Sequence, residues 1–73
     1  MNHDKIEFFA LSNGFAATPN FPSTLAQAVE ECVKESRSMN TRNWLYREVN
    51  GTSEEIGHTI KDGPLTWRFV YNG

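Results

Sequence analysis

Two turn dipeptides in the last third of the chain constrain its fold more than any other feature of the sequence. Asn50-Gly51 and Asp62-Gly63 are pairs of residues that accept positive φ, which the tight turns of β-hairpins require. Each pair is flanked by segments rich in β-branched and aromatic residues, which strands prefer. The sequence therefore predicts an antiparallel meander of three strands over residues 44–49, 55–60 and 65–71.

Side chains alternate between the two faces of a strand, so the sequence also predicts which residues share a face. In the first strand Trp44 and Tyr46 share a face, and Arg47 lies on the opposite one. The middle strand aligns Ile56, His58 and Ile60. The last strand carries its large apolar side chains on one face, opposite Arg68: Leu65, Trp67, Phe69 and Tyr71.

The first half of the chain predicts one further strand and one possible strand. Residues 5–11 alternate with aromatic side chains on both faces, so we expect this strand to be central in the sheet or buried on both sides. Asn13-Gly14 is a turn signal, after which residues 15–18 form either a short returning strand or a loop. The prolines at positions 19 and 22 predict an irregular segment. We expect Phe15 and Phe21 to fold back over the edge of the core.

A helix follows the second proline. Thr24 and Gln27 have the spacing of a capping box, which predicts that the helix starts at residue 23 or 24. An apolar stripe recurs at helical spacing up to about Met39; it consists of Leu25, Ala28, Val29, Cys32, Val33 and Ser36. We predict a single α+β domain over residues 1–73, with one α-helix packed on a four- to five-stranded antiparallel sheet. Its order is strand, possible strand, helix and three strands.

The length and charge of the chain bound its function. A domain of 73 residues buries only about 60% of its unfolded surface, so self-association or a partner often supplements its stability. The net charge of −2 gives no field that would attract nucleic acid or an anionic membrane, and no run of about 18 apolar residues could span a bilayer. A single cysteine, and an N-terminus without the build of a signal peptide, favour a cytoplasmic protein.

No group of residues has the spacing of a catalytic, metal or cofactor site. Cys32 lies on the apolar stripe of the helix among acidic neighbours, where we expect a buried structural thiol. His58 shares its predicted face with two isoleucines, and we interpret it as a half-buried packing residue. The adjacent glutamates at positions 30–31 and 54–55 point apart and do not form a paired site. We therefore expect a protein that is not an enzyme and uses no metal or cofactor.

The predicted sheet has more large apolar side chains than one helix can cover. A helix of about 14 residues is about 21 Å long and shelters one face of the sheet, whereas the large side chains fall on both. The sequence leaves open which face the helix covers. Aromatic residues and arginine are enriched where proteins bind one another. We therefore predict these partner-binding residues: Trp44, Tyr46, Arg47, Trp67, Arg68 and Tyr71.

The predicted partner is another protein, or a second copy of the chain in a homodimer, and the predicted mode of action is occlusion of the target's surface. In size and composition, though in no motif, the chain resembles the accessory inhibitors that phages and mobile elements encode against host defence proteins. The alternative hypothesis is a module for single-stranded nucleic acid, which aromatic residues and arginines on a sheet can bind. Against it, alternation puts Arg47 opposite Trp44 and Tyr46, and Arg68 opposite Trp67.

Overall fold

The computed structural model describes residues 5–72, which form one helix on one sheet. The elements in chain order are β1 (Glu7–Ser12), β2 (Phe21–Ser23), α1 (Leu25–Met39), β3 (Trp44–Val49), β4 (Thr52–Lys61) and β5 (Trp67–Tyr71). All strand pairs are antiparallel, and the five strands lie in the order β2-β1-β3-β4-β5. The predicted α+β fold is confirmed. Within the described residues, the helix is too short and too polar to cross a membrane.

The first turn of the meander has the predicted geometry. Asn50 and Gly51 have φ values of 52° and 78°, and these two residues alone connect β3 to β4. A two-residue connection with positive φ at both positions matches the right-handed twist of the strands that it joins. The hairpin that the Asn-Gly pair predicts is therefore confirmed, and β4 begins earlier than predicted, at Thr52.

The second turn differs from the prediction. The predicted hairpin between β4 and β5 is confirmed, but neither Asp62 nor Gly63 has the positive φ that we expected for this pair. The connection is longer than two residues, and it closes through a hydrogen bond of 3.1 Å from the Asp62 N–H to the Thr66 carbonyl oxygen. Positive φ is a requirement of two-residue hairpin turns, and a longer connection does not share it. In addition, Pro64 restricts the backbone of the residue before it, Gly63.

Residues 15–18 form a loop rather than a strand. The Asn13 side chain organises the loop, because its Oδ1 atom accepts hydrogen bonds from the backbone N–H groups of Phe15 at 2.9 Å and Ala16 at 2.8 Å. An isolated bridge between Ser12 and Ala17 joins the two sides of the loop. Phe15 is 97% exposed. The expectation that Phe15 covers the core is therefore wrong.

The second strand, β2, lies in the segment that the prolines predict to be irregular. Pro22 is compatible with a strand here because β2 is at the edge of the sheet, where a missing backbone donor leaves no neighbour unpaired. Phe21 pairs with Phe9 of β1, and the two ring centroids are 6.5 Å apart. Phe21 thus packs against the core, as predicted.

Helix α1 begins and ends where the sequence predicts. Thr24 is the N-cap, and its Oγ1 atom accepts a hydrogen bond of 3.2 Å from the Gln27 N–H. Asn40 ends the helix in the left-handed conformation, with a φ of 53°. The buried residues of the helix belong to the predicted apolar stripe: Ala28, Cys32 and Ser36.

The core lies between α1 and one face of the sheet. Its buried apolar side chains are Phe9, Leu11, Ala28, Cys32 and Leu45. β1 contributes from one face only, because Phe8 on its other face is 51% exposed. β1 lies inside the sheet, between β2 and β3, which confirms the first of the two predicted alternatives; the second, burial on both faces, does not occur.

A buried polar network joins the end of the helix to the sheet. Ser36, Asn43 and Thr59 are at most 5% exposed. The Ser36 and Thr59 hydroxyl oxygens are 2.6 Å apart, the Asn43 N–H donates to Thr59 Oγ1 at 2.9 Å, and Asn43 Nδ2 donates to Ser36 Oγ at 3.3 Å. The Thr59 N–H donates in return to the Asn43 carbonyl oxygen at 2.9 Å. These mutual partners offset the cost of removing the polar groups from water.

β4 carries a β-bulge opposite β3. The pairs on either side of it are Leu45 with Gly57 and Tyr46 with Glu55. The extra residue, Ile56, packs against the core. The predicted alignment of Ile56 with His58 and Ile60 on one face is therefore wrong, because a bulge interrupts the period of two.

The polar network predicts a cost for removing its serine. We expect Ser36→Ala to lower the free energy of unfolding by about 1–3 kcal/mol, because Asn43 and Thr59 lose a buried partner. Ser38→Ala is the same substitution at an exposed position of the same helix, and it should change that free energy by less than about 0.5 kcal/mol. Urea denaturation of both variants measures the difference. Equal midpoints would contradict the role given to the network.

The close approach of β5 to β4 predicts a second packing effect. A Cβ atom at Gly57 would lie 2.2 Å from the Val70 carbonyl oxygen and 2.8 Å from the Phe69 ring. We expect Gly57→Ala to cost about 1–3 kcal/mol of stability, because β5 must move away from β4. Thermal unfolding measures the effect, with Ser53→Ala at an exposed position of the same strand as the control. Equal stability of the two variants would mean that the strands do not approach so closely.

Candidate protein-binding surface

One face of the sheet is not covered by α1. The strand register identifies its side chains, because residues paired across antiparallel strands point to the same side. One row crosses four strands: Ser12, Trp44, His58 and Val70. The other rows add Phe8 with Glu48, Ala10 with Tyr46 and Glu55, and Ile60 with Arg68. We call this surface the open face; its large side chains are Phe8, Trp44, Tyr46, His58, Ile60, Arg68 and Val70.

The centre of the open face is apolar and aromatic. Phe8 is 51% exposed, although β1 lies inside the sheet. Four further large side chains of this face are half-buried: Trp44, Tyr46, Ile60 and Val70. A contiguous aromatic surface on a small domain is typical of a site that binds another molecule.

Charged groups of both signs lie around this aromatic centre. The guanidinium carbon of Arg42 is 5.9 Å from the centroid of the Trp44 ring, within cation–π distance. The Arg68 side chain is 60% exposed, and its Nε atom is 3.5 Å from Asp62 Oδ2. The Glu55 carboxylate accepts a hydrogen bond of 2.5 Å from Asn72 Nδ2. The open face therefore combines aromatic rings with both charges and has no field of a single sign.

The sheet divides the six predicted partner-binding residues between its two faces. Trp44, Tyr46 and Arg68 lie on the open face. The other three, Arg47, Trp67 and Tyr71, lie on the face that carries the helix. The predicted set therefore does not form one surface. The open face adds large residues that the prediction omits, Phe8, His58, Ile60 and Val70; the alternation in β1 was the available signal for Phe8.

Arg47 is held within the domain by two carboxylates. Its Nη2 atom is 2.7 Å from Glu54 Oε1, and its Nη1 atom is 3.6 Å from Glu7 Oε1. Its Nε atom is buried and has no hydrogen-bond partner among residues 5–72. The Arg47 side chain is 32% exposed, against 60% for Arg68. Arg68 is therefore the cation better placed to contact a partner.

Trp67 and Tyr71 make contacts on the helix side of β5. The Lys61 ammonium lies 5.9 Å from the centroid of the Trp67 ring. The Tyr71 ring packs edge-on against Phe69, with 4.9 Å between the ring centroids, and Tyr71 is 57% exposed. Both aromatic residues thus lie on the helix-covered face of the edge strand β5, not on the open face.

His58 and Cys32 do not form a reactive site. The His58 Nδ1 atom is buried on the open face without a hydrogen-bond partner in the described chain. Cys32 is fully buried, as predicted, and its Sγ atom is 3.6 Å from the Asn43 carbonyl oxygen. Burial raises the pKa of the Cys32 thiol to about 12, because desolvation disfavours the thiolate. Across residues 5–72 no three His, Cys, Asp or Glu side chains are grouped so that they could hold a metal ion.

No protein-family model, no curated protein and no solved structure matches the chain. The open face is therefore identified as the candidate functional site only from the positions and exposure of its side chains. Its distinguishing property is a cluster of rings that the helix leaves uncovered.

The raised pKa predicts that the thiol does not react until the chain unfolds. At pH 8, a thiol with a pKa of about 12 is ionised in roughly one molecule in ten thousand. We expect iodoacetamide to label Cys32 only in denaturant, as followed by mass spectrometry. Since the folded pKa lies above the ordinary value of 9.0, the thiol's contribution to stability is present below pH 9.0 and is lost as the pH rises towards 12. Rapid labelling of the native protein would contradict the buried position.

Proposed function

We propose that this chain is a protein-binding module that docks through the open face of its sheet and acts by covering a surface of its target. The observation that carries the proposal is the ring cluster of Phe8, Trp44 and Tyr46 on a face without a helix. Aromatic residues and arginine contribute most to the affinity of protein interfaces. In this arrangement Trp44 and Tyr46 are the anchors, and Arg68 supplies an oriented polar contact.

The dimensions of the open face set the size of the interface that it can form. Five strands at a spacing of about 4.8 Å give a width of about 24 Å, and a strand of six residues is about 20 Å long. These dimensions give the face an area of about 480 Å², below the roughly 800 Å² per partner of a standard interface, so a partner must also contact the rim of the face to reach that size. Occlusion requires nothing more of the module, which supports a role without enzymatic activity.

The properties of the open face define the kind of target. A complementary surface would have an apolar centre for the rings and charges of both signs at its rim. The composition of the chain resembles that of the inhibitors of host defence proteins that phages and mobile elements encode, and we propose this role for it. The lone buried thiol supports a cytoplasmic location. A second copy of the chain is a further proposed partner, and a different surface, the edge of β5, fits it.

Binding of single-stranded nucleic acid is a second candidate function. The observation that favours it is that the sheet brings Arg68 to the same face as Trp44 and Tyr46, and that Arg42 lies against the Trp44 ring. Stacking platforms for single strands combine aromatic rings with cations in this way. Glu48 and Glu55 on the same face, and the net charge of −2, would repel phosphates. These charges favour a protein target.

The chain offers matched variants for testing the open face. It has two tryptophans and two tyrosines, and one of each lies on either face of the sheet. We expect Trp44→Ala and Tyr46→Ala to weaken target binding at least roughly tenfold, because aromatic anchors often contribute about 2 kcal/mol or more. Trp67→Ala and Tyr71→Ala should bind the target as the unsubstituted chain does. The target is captured from host lysate and then titrated in isolation, and circular dichroism checks that each variant is folded.

Two outcomes would contradict the proposal. Loss of binding in Trp67→Ala and Tyr71→Ala, with Trp44→Ala and Tyr46→Ala unaffected, would exclude the open face. Capture that disappears after nuclease treatment, together with an affinity that falls steeply with salt, would identify nucleic acid as the target instead.

A further inference from the structure

The two edges of the sheet are protected to different degrees. β2 forms one edge; it has three residues, and Pro22 removes a backbone donor from it. β5 forms the other edge; it has five residues and contains neither proline nor lysine. Short strands, proline and charged side chains, above all lysine, are means by which natural edges avoid pairing with other chains. β5 is longer than β2, contains no proline and carries one charged residue, Arg68, so it is the less protected edge and the one that can accept another strand.

The backbone groups of β5 alternate in direction. Beyond one end of the strand the Asn72 N–H donates to the Ile56 carbonyl oxygen at 2.8 Å, and beyond the other the Asp62 N–H donates to the Thr66 carbonyl oxygen at 3.1 Å. Hydrogen-bonded pairs alternate with non-bonded pairs along an antiparallel ladder. Counted from both ends, Arg68 and Val70 bond to β4. The backbone groups that point away from β4 are those of Trp67, Phe69 and Tyr71.

We infer that β5 pairs with β5 of a second copy of the chain, antiparallel, about a twofold axis at Phe69. This register matches every outward residue of the strand: Phe69 with Phe69 of the second copy, and Trp67 with Tyr71 of the second copy in both directions. With two hydrogen bonds in each pair, about six backbone hydrogen bonds form across the interface. The sheet becomes continuous through both copies, and both helices lie on the same side because the axis is perpendicular to the sheet.

The side chains distinguish this register from its neighbours. On the open face it places Arg68 opposite Val70 of the second copy, so that no like charges face each other directly. A register centred on Arg68 would put two guanidinium groups opposite each other. A register centred on Val70 would leave the outward groups of Trp67 without a partner in the strand. On the helix face, Trp67 covers Tyr71 of the second copy, which is 57% exposed in the single chain.

We assign a second copy of the chain to this edge because β5 is complementary to itself. In the proposed register each of its outward residues has an outward residue of the second copy as its partner. The pairing does not rest on the proposed function, since the open face stays uncovered when two β5 edges meet. Three of the six residues that the sequence predicts to bind a partner lie on β5 and would be at this interface: Trp67, Arg68 and Tyr71.

Amide NMR in a dilution series tests the pairing directly. In the dimer the amide protons of Trp67, Phe69 and Tyr71 gain hydrogen bonds, whereas those of Arg68 and Val70 bond to β4 in either state. We expect the first three resonances to move downfield as the concentration rises and the other two to move little. Sedimentation of the chain as a monomer at high micromolar concentration would overturn the inference. Concentration-dependent shifts confined to the open face would overturn it as well.

Substitution of Val70 tests the register. Val70→Glu places a carboxylate opposite Arg68 of the second copy at two symmetric positions, and Val70→Lys places an ammonium there. We expect the dissociation constant of the dimer to fall roughly 2- to 30-fold in Val70→Glu and to rise by a similar factor in Val70→Lys. Ser53→Glu and Ser53→Lys make the same changes on β4, away from the β5 edge, and should leave the constant unchanged.

The controls separate this inference from the proposed function. Equal responses at Val70 and Ser53 would overturn the register. A dimer that dissociates in Trp44→Ala and Tyr46→Ala, but not in Val70→Lys, would place self-association on the open face and overturn the inference. A dimer that responds to Val70 as expected supports the inference whether or not the open face binds a target.

Discussion

The polar network at the end of the helix determines how the two layers of this domain fit together. Apolar contact has no direction, so the buried apolar side chains alone would allow the helix to slide or rotate over the sheet. The hydrogen bonds among Ser36, Asn43 and Thr59 have defined partners and lengths, and they require one position of the helix. With the helix on that side, no helix covers the aromatic residues on the opposite side of the sheet. Every hypothesis about binding through the open face depends on this arrangement.

Local chemistry explains why much of the fold could be predicted from the sequence. The cap at Thr24 and the hairpin at Asn50-Gly51 act within a few residues of themselves, and both elements begin where these signals stand. The errors have both distant and local causes. Pro22 is compatible with a strand only because β2 is an edge, and the exposure of Phe15 follows from the loop that Asn13 organises. The adjacent sequence does not reveal that β2 is an edge, whereas the Asn13 side chain acts only two residues away from Phe15.

The candidate site was less predictable than the fold because it depends on which face the helix covers. Alternation correctly separates Trp44 and Tyr46 from Arg47 within β3, but it cannot relate the faces of one strand to those of another. The prediction therefore groups Trp44 with Trp67, although the two rings lie on opposite sides of the sheet. The information that decides the matter is carried by Thr59, a polar residue in the interior that no hydrophobic pattern singles out.

The bulge in β4 decides which side chains of that strand face the helix. A regular ladder started by the Asn50-Gly51 hairpin would pair Asn43 with His58, so that the imidazole would enter the interior and the Thr59 hydroxyl would face solvent. The extra residue inverts the phase of the strand beyond it and exchanges the two. It follows that a chain lacking Ile56 would keep its present interior, because an uninterrupted ladder would then bring Thr59 opposite Asn43. Ile56 and the bulge that accommodates it therefore cancel: together they leave the faces of the rest of β4 unchanged and add one apolar side chain that packs against the core.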